Sequence, residues 1–210
     1  MRTGNGVRFR KNGMLRVTEL CRSFRGREIL GGISFTAEPG EILGISGDNG
    51  TGKTTLLSVI AGVIRPDSGE VWICGENALR NRRVFSKYVS FVPQDDPVLS
   101  DVSVMDNLKL WGKPDDSLIA RFGLTGVLRD KAGTLSGGMI RRLSIACALE
   151  KEFKVLVMDE PCSGLDREQT ELVRDLIMTI RSEGRTVIMS SHLGEDLDIC
   201  DRVMEIGMNT

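Results

Sequence analysis

A glycine-rich run near the first quarter of the chain has the composition and spacing of a phosphate-binding loop. Residues 47–54 read GDNGTGKT and fit the pattern G-x-x-x-x-G-K-[ST]. Glycines let the backbone curl so that several N–H groups point at one anion. Lys53 can bring a full positive charge to β- and γ-phosphates, and the hydroxyl of Thr54 can coordinate Mg²⁺. The run therefore predicts a site for a nucleotide with a magnesium ion.

Two carboxylates follow a short apolar run in the second half of the chain. Residues 155–158 read VLVM, and Asp159 and Glu160 come directly after them. Transfer of a phosphoryl group to water needs a held metal ion and a positioned water molecule. We expect Asp159 to hold Mg²⁺ through water, and Glu160 to orient and deprotonate the attacking water. Without a phosphate-binding loop earlier in the chain, a solvated acidic pair would be the better interpretation.

The segments around these residues alternate between strand-like and helix-like patterns. Apolar runs predict strands at 14–20, 33–37, 41–46, 70–74, 88–92, 155–158, 186–189 and 203–206. Helical patterns lie at 53–61, 136–150 and 168–182. Alternation of this kind requires crossover connections and favours a mostly parallel sheet. We predict an α/β fold of the P-loop NTPase type, with an N-terminal antiparallel β portion and a small helical sub-lobe.

Length and local composition define the predicted domain organisation. The 210 residues are enough for one compact domain with a core. Residues 1–13 are basic and rich in glycine without any period, so we predict a disordered leader there. Residues 14–210 are expected to form a single ATPase-type domain. A helical insertion at 97–133, broken at 112–115, is predicted to lie within a sub-lobe covering about 95–150.

Composition argues against several classes of function. Lys and Arg number 28 and Asp and Glu 29, a formal net charge of −1, which disfavours nucleic acid as the main partner. The five cysteines form no C-x-x-C pair, so we expect buried, reduced thiols rather than a zinc or redox site. No apolar run approaches the ~18 residues of a membrane span. A role at a membrane would therefore require a partner chain.

Residues 135–139, LSGGM, resemble the LSGGQ signature of ABC transporter ATPases. The segment precedes the acidic strand, as it does in that family. Four other features resemble motifs of the same family. Gln94 resembles the Q-loop glutamine, and residues 161–166 (PCSGLD) resemble the segment that enters the D-loop. His192 in Ser-Ser-His resembles the switch histidine, and Phe24 resembles the aromatic residue that stacks on adenine. The resemblance extends over about residues 15–206.

The resemblance implies ATP hydrolysis with ATP and Mg²⁺ as ligands. It assigns ATP contacts to Phe24, Asn49, Gly50, Gly52, Lys53, Thr54, Thr55, Ser136 and Gly138. It assigns metal contacts to Thr54, Gln94 and Asp159, and catalytic roles to Glu160, His192, Lys53 and Gln94. Of these residues, Phe24 and Gln94 taken alone also fit ordinary core and surface positions.

The resemblance further implies partners and a location. A second ABC ATPase subunit would form a homodimer or pseudo-dimer in which Ser136 and Gly138 meet the γ-phosphate held by the other protomer. A separate transmembrane permease would hold the pair at the cytoplasmic, inner face of the membrane. Met139 replaces the usual glutamine, and the sequence pattern SGGM-x-RRL resembles that of the exporter branch. Because the chain ends at Thr210, we expect no added regulatory or dimerisation domain.

Two alternatives remain open from the sequence. One is a soluble ABC-type ATPase, which usually carries two ATPase units, a long coiled-coil insertion or zinc cysteines. The other is a nucleotide-dependent regulator without turnover, which would be expected to lack Glu160 or His192. A catalytic role in transport agrees better with the residues present.

Overall fold

A computed structural model describes residues 13–207. The leader predicted at 1–13 lies, apart from Gly13, outside the described residues. The strands are β1 (Leu15–Phe24), β2 (Arg27–Ala37), β3 (Ile42–Ser46), β4 (Ser68–Ile73), β5 (Glu76–Asn77), β6 (Val89–Val92), β7 (Val155–Asp159), β8 (Thr186–Ser190) and β9 (Arg202–Glu205). The helices are α1 (Lys53–Ile60), α2 (Arg83–Tyr88), α3 (Val104–Lys109), α4 (Asp116–Arg121), α5 (Gly137–Leu149), α6 (Arg167–Ser182) and α7 (Gly194–Leu197).

Five parallel strands form the central sheet, in the order β6-β7-β8-β3-β9. The apolar runs of β7 and β8 are buried along their whole length. Alternate residues of β7 enter two hydrophobic clusters: Val155 and Val157 join one, and Leu156 and Met158 join the other. Both faces of the sheet are thus covered, as parallel sheets require. The predicted α/β class is confirmed.

Four antiparallel strands form a second sheet, in the order β2-β1-β4-β5. The sequence prediction ended the first strand at Leu20 and began the second at Ile33, so both were too short. Beyond Leu20 the β1–β2 pairing contains register shifts, and most residues of both strands near their turn are exposed or partly exposed. Residues in such an irregular, partly exposed hairpin need not alternate between apolar and polar types, and the prediction relied on that alternation. The extended hairpin brings Phe24 to its tip, opposite Arg27.

Helices α3, α4 and α5 lie in the stretch for which a helical sub-lobe was predicted. Their buried apolar side chains, with Phe122 and Leu124, belong to the same cluster as one face of the parallel sheet. Asp115 begins α4 by accepting hydrogen bonds from the backbone N–H groups of Ser117 and Leu118, and so ends the break predicted at 112–115. The hydroxyl of Ser90 in β6 donates to the carbonyl of Ala148 near the end of α5. Helix α5 is thereby fixed against the sheet.

The sequence prediction missed several short elements. Strand β5 has two residues, and helices α7 and α2 have four and six. Segments of this length carry too few positions for a period to be recognised. Within residues 13–207, no helix combines the length and the apolar character needed to cross a membrane.

The five cysteines, all in the described range, are free. Cys147 and Cys162 are buried, whereas Cys21, Cys74 and Cys200 are partly exposed, so the expectation of burial holds for two of the five. Burial raises the pKa of Cys147, Cys162 and Cys200 to about 12. At neutral pH these three thiols carry almost no reactive thiolate.

Candidate active site

The strand order brings four loops to one edge of the parallel sheet. Strands β6, β7, β8 and β3 are neighbours, and their carboxyl ends lead to Gln94, Glu160, His192 and the phosphate-binding loop at 47–52. Sites in open α/β folds form outside the carboxyl ends of the strands. Motifs that lie far apart in the sequence therefore meet at one place.

The phosphate-binding loop is held in a conformation that its glycines permit. Gly47 and Gly52 have φ angles of 145° and 102°, and a Cβ on Gly47 would lie 2.4 Å from the carbonyl oxygen of Ile206. Gly52 precedes the first turn of α1, so the N–H groups of that turn face the loop. Lys53 is buried, and its Nζ donates to the carbonyls of Gly47 at 2.6 Å and Asp48 at 3.1 Å. The ammonium thus lies inside the curve of the loop.

Asp159 ends β7 with no exposed surface. Its Oδ1 accepts a hydrogen bond of 2.6 Å from the hydroxyl of Ser190, its neighbour in β8. The same hydroxyl accepts from the N–H of Glu160 at 3.0 Å. Oδ2 is also buried, yet no group among the described residues hydrogen-bonds to it. A buried carboxylate oxygen without a partner is costly, and its hard, anionic character suits a magnesium ion with its water shell.

Glu160 follows in a backbone conformation that is unusual for a residue with a side chain, at φ 50°. Its Oε2 lies 2.8 Å from Nδ1 of His192, which follows β8. When the carboxylate is ionised it can only accept a hydrogen bond, and Nδ1 is then the donor in this contact. Glu160 is mostly buried, while the side chain of His192 is 49% exposed. The contact with His192 can therefore hold the Glu160 carboxylate, a proton acceptor, beside the phosphate-binding loop.

A cleft of about 490 Å³ joins these groups. It is lined by Phe24, Ile29, Asn49, Gly50, Gly52, Lys53, Thr54, Thr55, Gln94, Glu160, Ser163 and His192. Ten of these were predicted from the sequence. Phe24 is 40% exposed. The guanidinium carbon of Arg22 lies over one face of its ring, 4.5 Å from the centroid, so a flat base could stack on the other face.

Three predicted residues do not line the cleft. Asp159 is fully buried at the end of β7, and Ser136 and Gly138 lie at the start of α5. Ser136 precedes that helix, and its exposed hydroxyl accepts from the N–H of Met139 at 3.4 Å. The start of α5 therefore presents a hydroxyl and backbone N–H groups at the surface, outside the cleft.

Sequence reasoning missed Ile29, Ser163 and Ser190. Ile29 lies in the part of β2 that was not predicted as a strand. Ser163 lies within the run PCSGLD, and Ser190 is the first residue of Ser-Ser-His, so both belong to recognised motifs in which they were given no role. The role of Ser190 depends on the pairing of β7 with β8, which local patterns do not specify.

Comparison with known proteins gives consistent results. The family model described as ABC transporter matches residues 30–163. The Nod factor export ATP-binding protein I of Paraburkholderia xenovorans (strain LB400) is 34% identical over 204 residues, which cover 88% of this chain and 65% of that protein. The linearmycin resistance ATP-binding protein LnrL of Bacillus subtilis (strain 168) is 31% identical over 202 residues, covering 90% and 65%. The chain thus spans about 65% of the length of these curated relatives.

Solved structures show the same fold. The ATP-binding subunit of an ABC transporter superposes with a TM-score of 0.85 at 21% identity, covering 94% of this chain and 88% of that one. An ATP-binding cassette solved as a dimer in a post-hydrolysis state with ADP and Pi also gives 0.85, at 20% identity, covering 94% and 97%. At these identities the likeness concerns the fold.

Replacing Ser190 by alanine tests the bridge between Asp159 and Glu160. The change leaves a buried carboxylate oxygen and an N–H without their partner, so we expect unfolding free energy to fall by about 1–3 kcal/mol in urea titrations. Ser144→Ala is the matched control, because the Ser144 hydroxyl is buried and has no hydrogen-bond partner among the described residues. That control should be neutral or slightly stabilising. Equal effects of the two changes would contradict the assigned bridge.

Proposed function

Because this chain belongs to the ABC transporter family, as its motifs indicated, we propose that it is the ATP-binding and ATP-hydrolysing subunit of a transporter. One observation carries the proposal: Glu160 and His192 form a hydrogen-bonded pair at the cleft that the phosphate-binding loop also lines. A chain that only bound nucleotide would have no need of a proton acceptor beside that loop. The pair favours turnover over a purely regulatory role.

ATP would lie along the cleft. Lys53 and the N–H groups of the loop and of the first turn of α1 would bind the phosphates, since charge and helix dipole act together there. Lys53 now donates to two loop carbonyls, and anionic phosphate oxygens are stronger acceptors than these. Adenine would stack on Phe24 at the other end of the cleft. Asn49, Gly50, Gly52 and Thr55 would contribute the remaining loop contacts.

Magnesium would be held by Thr54, Gln94 and Asp159. Oδ2 of Asp159, which has no hydrogen-bond partner within residues 13–207, supports this set, as do the positions of Thr54 and Gln94 on the cleft. When bound, the ion neutralises negative charge on the phosphates. The chain's own contribution would be to bring together oxygen ligands from helix α1, the loop after β6 and the end of β7.

Glu160 would accept the proton of the attacking water. Its contact with His192 engages Oε2 and holds the side chain toward the cleft. The φ of 50° aims the residue differently from Asp159 before it, so one carboxylate stays buried under the sheet edge and the next reaches the cleft. His192 would hold the carboxylate in place and, being exposed, could also contact the γ-phosphate.

Two copies would close around two ATP molecules. Ser136 and Gly138 lie at the start of α5 and outside the cleft of their own chain, so they are available for the γ-phosphate held by a second copy or a related subunit. A cassette of the same fold has been solved as a dimer. Each closed site would then combine the phosphate-binding loop of one protomer with the signature helix of the other.

Transport would require a transmembrane permease. The names of the two curated relatives refer to Nod factor export and linearmycin resistance. The sequence SGGMIRRL at 136–143 also favours the exporter branch. We place the permease contact near Gln94 and residues 95–110, where Leu99 and Leu110 are exposed. The pair of ATPase subunits would be held at the inner face of the membrane through that contact.

Two substitutions separate binding from turnover. Glu160→Gln removes the proton acceptor but keeps the shape of the site, so we expect hydrolysis to fall at least ~100-fold while ATP affinity stays within about twofold. Lys53→Ala removes a buried charge from the phosphates, so we expect the affinity itself to fall at least about tenfold. Phosphate release measures the first and calorimetry the second. The exposed Glu183→Gln is the control and should behave as wild type. Unimpaired hydrolysis by Glu160→Gln would refute the proposed base.

Ser136→Arg tests the composite site. In the Glu160→Gln background with ATP, light scattering should detect a dimer; adding Ser136→Arg should leave a monomer that still binds ATP, because the bulky side chain blocks the partner's phosphate. Ser86→Arg, an exposed serine on α2, is the control and should still dimerise. A Ser136→Arg chain that dimerises as well as its parent would show that the start of α5 does not face the partner's nucleotide.

A further inference from the structure

Arg141, in the second turn of α5, is a buried cation that the sequence analysis did not single out. Its side chain is only 4% exposed. Nη2 donates to the carbonyls of Asp159 and Glu160, at 2.9 Å each, and Nε donates to the carbonyl of Pro161 at 3.2 Å. One edge of the planar guanidinium group therefore donates hydrogen bonds to three consecutive backbone carbonyls, which begin at the last residue of β7.

The remaining nitrogen of the same side chain reaches the loop after β6. Nη1 donates to the carbonyl of Pro93 at 2.6 Å and to Oδ1 of Asp96 at 2.8 Å, with the carbonyl of Gln94 at 3.5 Å. Asp96 also forms the ion pair that balances the buried charge. Because a buried guanidinium is costly unless its N–H groups are satisfied, this set of acceptors makes its burial tolerable. A single side chain thus joins two loops of the active site.

We propose that Arg141 is a positioning residue for ATP hydrolysis, which fixes the backbone of Glu160 and of Gln94 relative to each other and to helix α5. This inference rests on the proposed function. Glu160 is held at φ 50°, a conformation that a residue with a side chain adopts only when its surroundings enforce it. The hydrogen bonds from Arg141 to the carbonyls on both sides of that turn supply the enforcement. The direction of the Glu160 side chain toward the cleft follows from them.

Arg141 also ties this geometry to the start of its own helix. It lies five residues after Ser136, so the helix start is roughly 7–8 Å away along the axis at 1.5 Å per residue. A displacement of α5 when its start meets a second protomer would act directly on the two loops that Arg141 holds. The base and the glutamine would then be aligned when the composite site closes.

The next residue provides a matched control. Arg142 has the same charge on the same helix, but its Nη1 donates to the carbonyl of Phe122 at 2.7 Å, next to α4. Loss of Arg142 would disturb packing around α5 without releasing the loops at Glu160 and Gln94. The two arginines therefore separate an effect on the active site from an effect on the helix.

Steady-state hydrolysis by the purified full chain would be measured for wild type, Arg141→Met, Arg141→Lys and Arg142→Met. Misplacement of a catalytic group can cost on the order of 100-fold, so we expect kcat to fall 10- to 100-fold for both Arg141 variants while KM for ATP stays within about twofold. Lysine keeps the charge but cannot span both loops, so it should rescue folding and not the rate. Arg142→Met should keep kcat within about threefold.

A second measurement excludes a purely structural effect. Arg141→Lys would be combined with Glu160→Gln and Gln94→Ala; because the proposal has Arg141 act through these two residues, the triple variant should hydrolyse no more slowly than the Glu160→Gln, Gln94→Ala double variant. A further drop of tenfold or more, or a wild-type kcat for Arg141→Lys, would overturn the positioning role even if Arg141→Met failed to fold. Absence of hydrolysis by the wild-type chain would refute the proposed function itself, and the inference with it. Turnover by wild type with unimpaired Arg141→Lys would refute the inference alone.

Discussion

The carboxylate of Asp159 is removed from water by the same force that forms the core. Strand β7 is apolar along four residues, and it is buried on both faces between two hydrophobic clusters. Asp159 is buried because it is the last residue of this buried strand. Burying an ionised group is tolerated only when partners compensate for the lost hydration. The surroundings supply one such partner, the hydroxyl of Ser190, and leave Oδ2 without a partner among the described residues. Much of the site can be understood as the set of groups arranged around this buried charge.

Neighbouring strands extend that arrangement. Ser190 is the register partner of Asp159, and its hydroxyl also holds the N–H of Glu160. On the other side, Arg141 binds the carbonyls of both acidic residues and reaches the loop that carries Gln94. Helix α5 therefore does more than cover the sheet. A change at its exposed start would be transmitted to the acidic residues through one buried, hydrogen-bonded side chain.

The sequence predicted the parts of this site whose information is local. The phosphate-binding loop, the run ending in Asp159 and Glu160, and the helix that begins after Ser136 were each predicted from a few adjacent residues. The contacts that organise them were not predicted, because Ser190 meets Asp159 across 31 positions and Arg141 meets Pro93 across 48. The β1–β2 hairpin was predicted too short, since register shifts and partial exposure removed its alternation. Local patterns thus indicated the chemistry, while strand pairing decided which polar groups became partners.

The most direct test of this account measures how magnesium contributes to nucleotide binding through Asp159. Calorimetry with a non-hydrolysable ATP analogue, in the presence of Mg²⁺ and then of EDTA, would compare wild type with Asp159→Asn. If Oδ2 faces the ion, Mg²⁺ should strengthen binding to wild type by about tenfold or more, and the amide should remove most of that gain. Affinity in EDTA should be similar for the two chains. An Asp159→Asn chain that gains as much from Mg²⁺ as wild type would contradict the role assigned to the buried carboxylate.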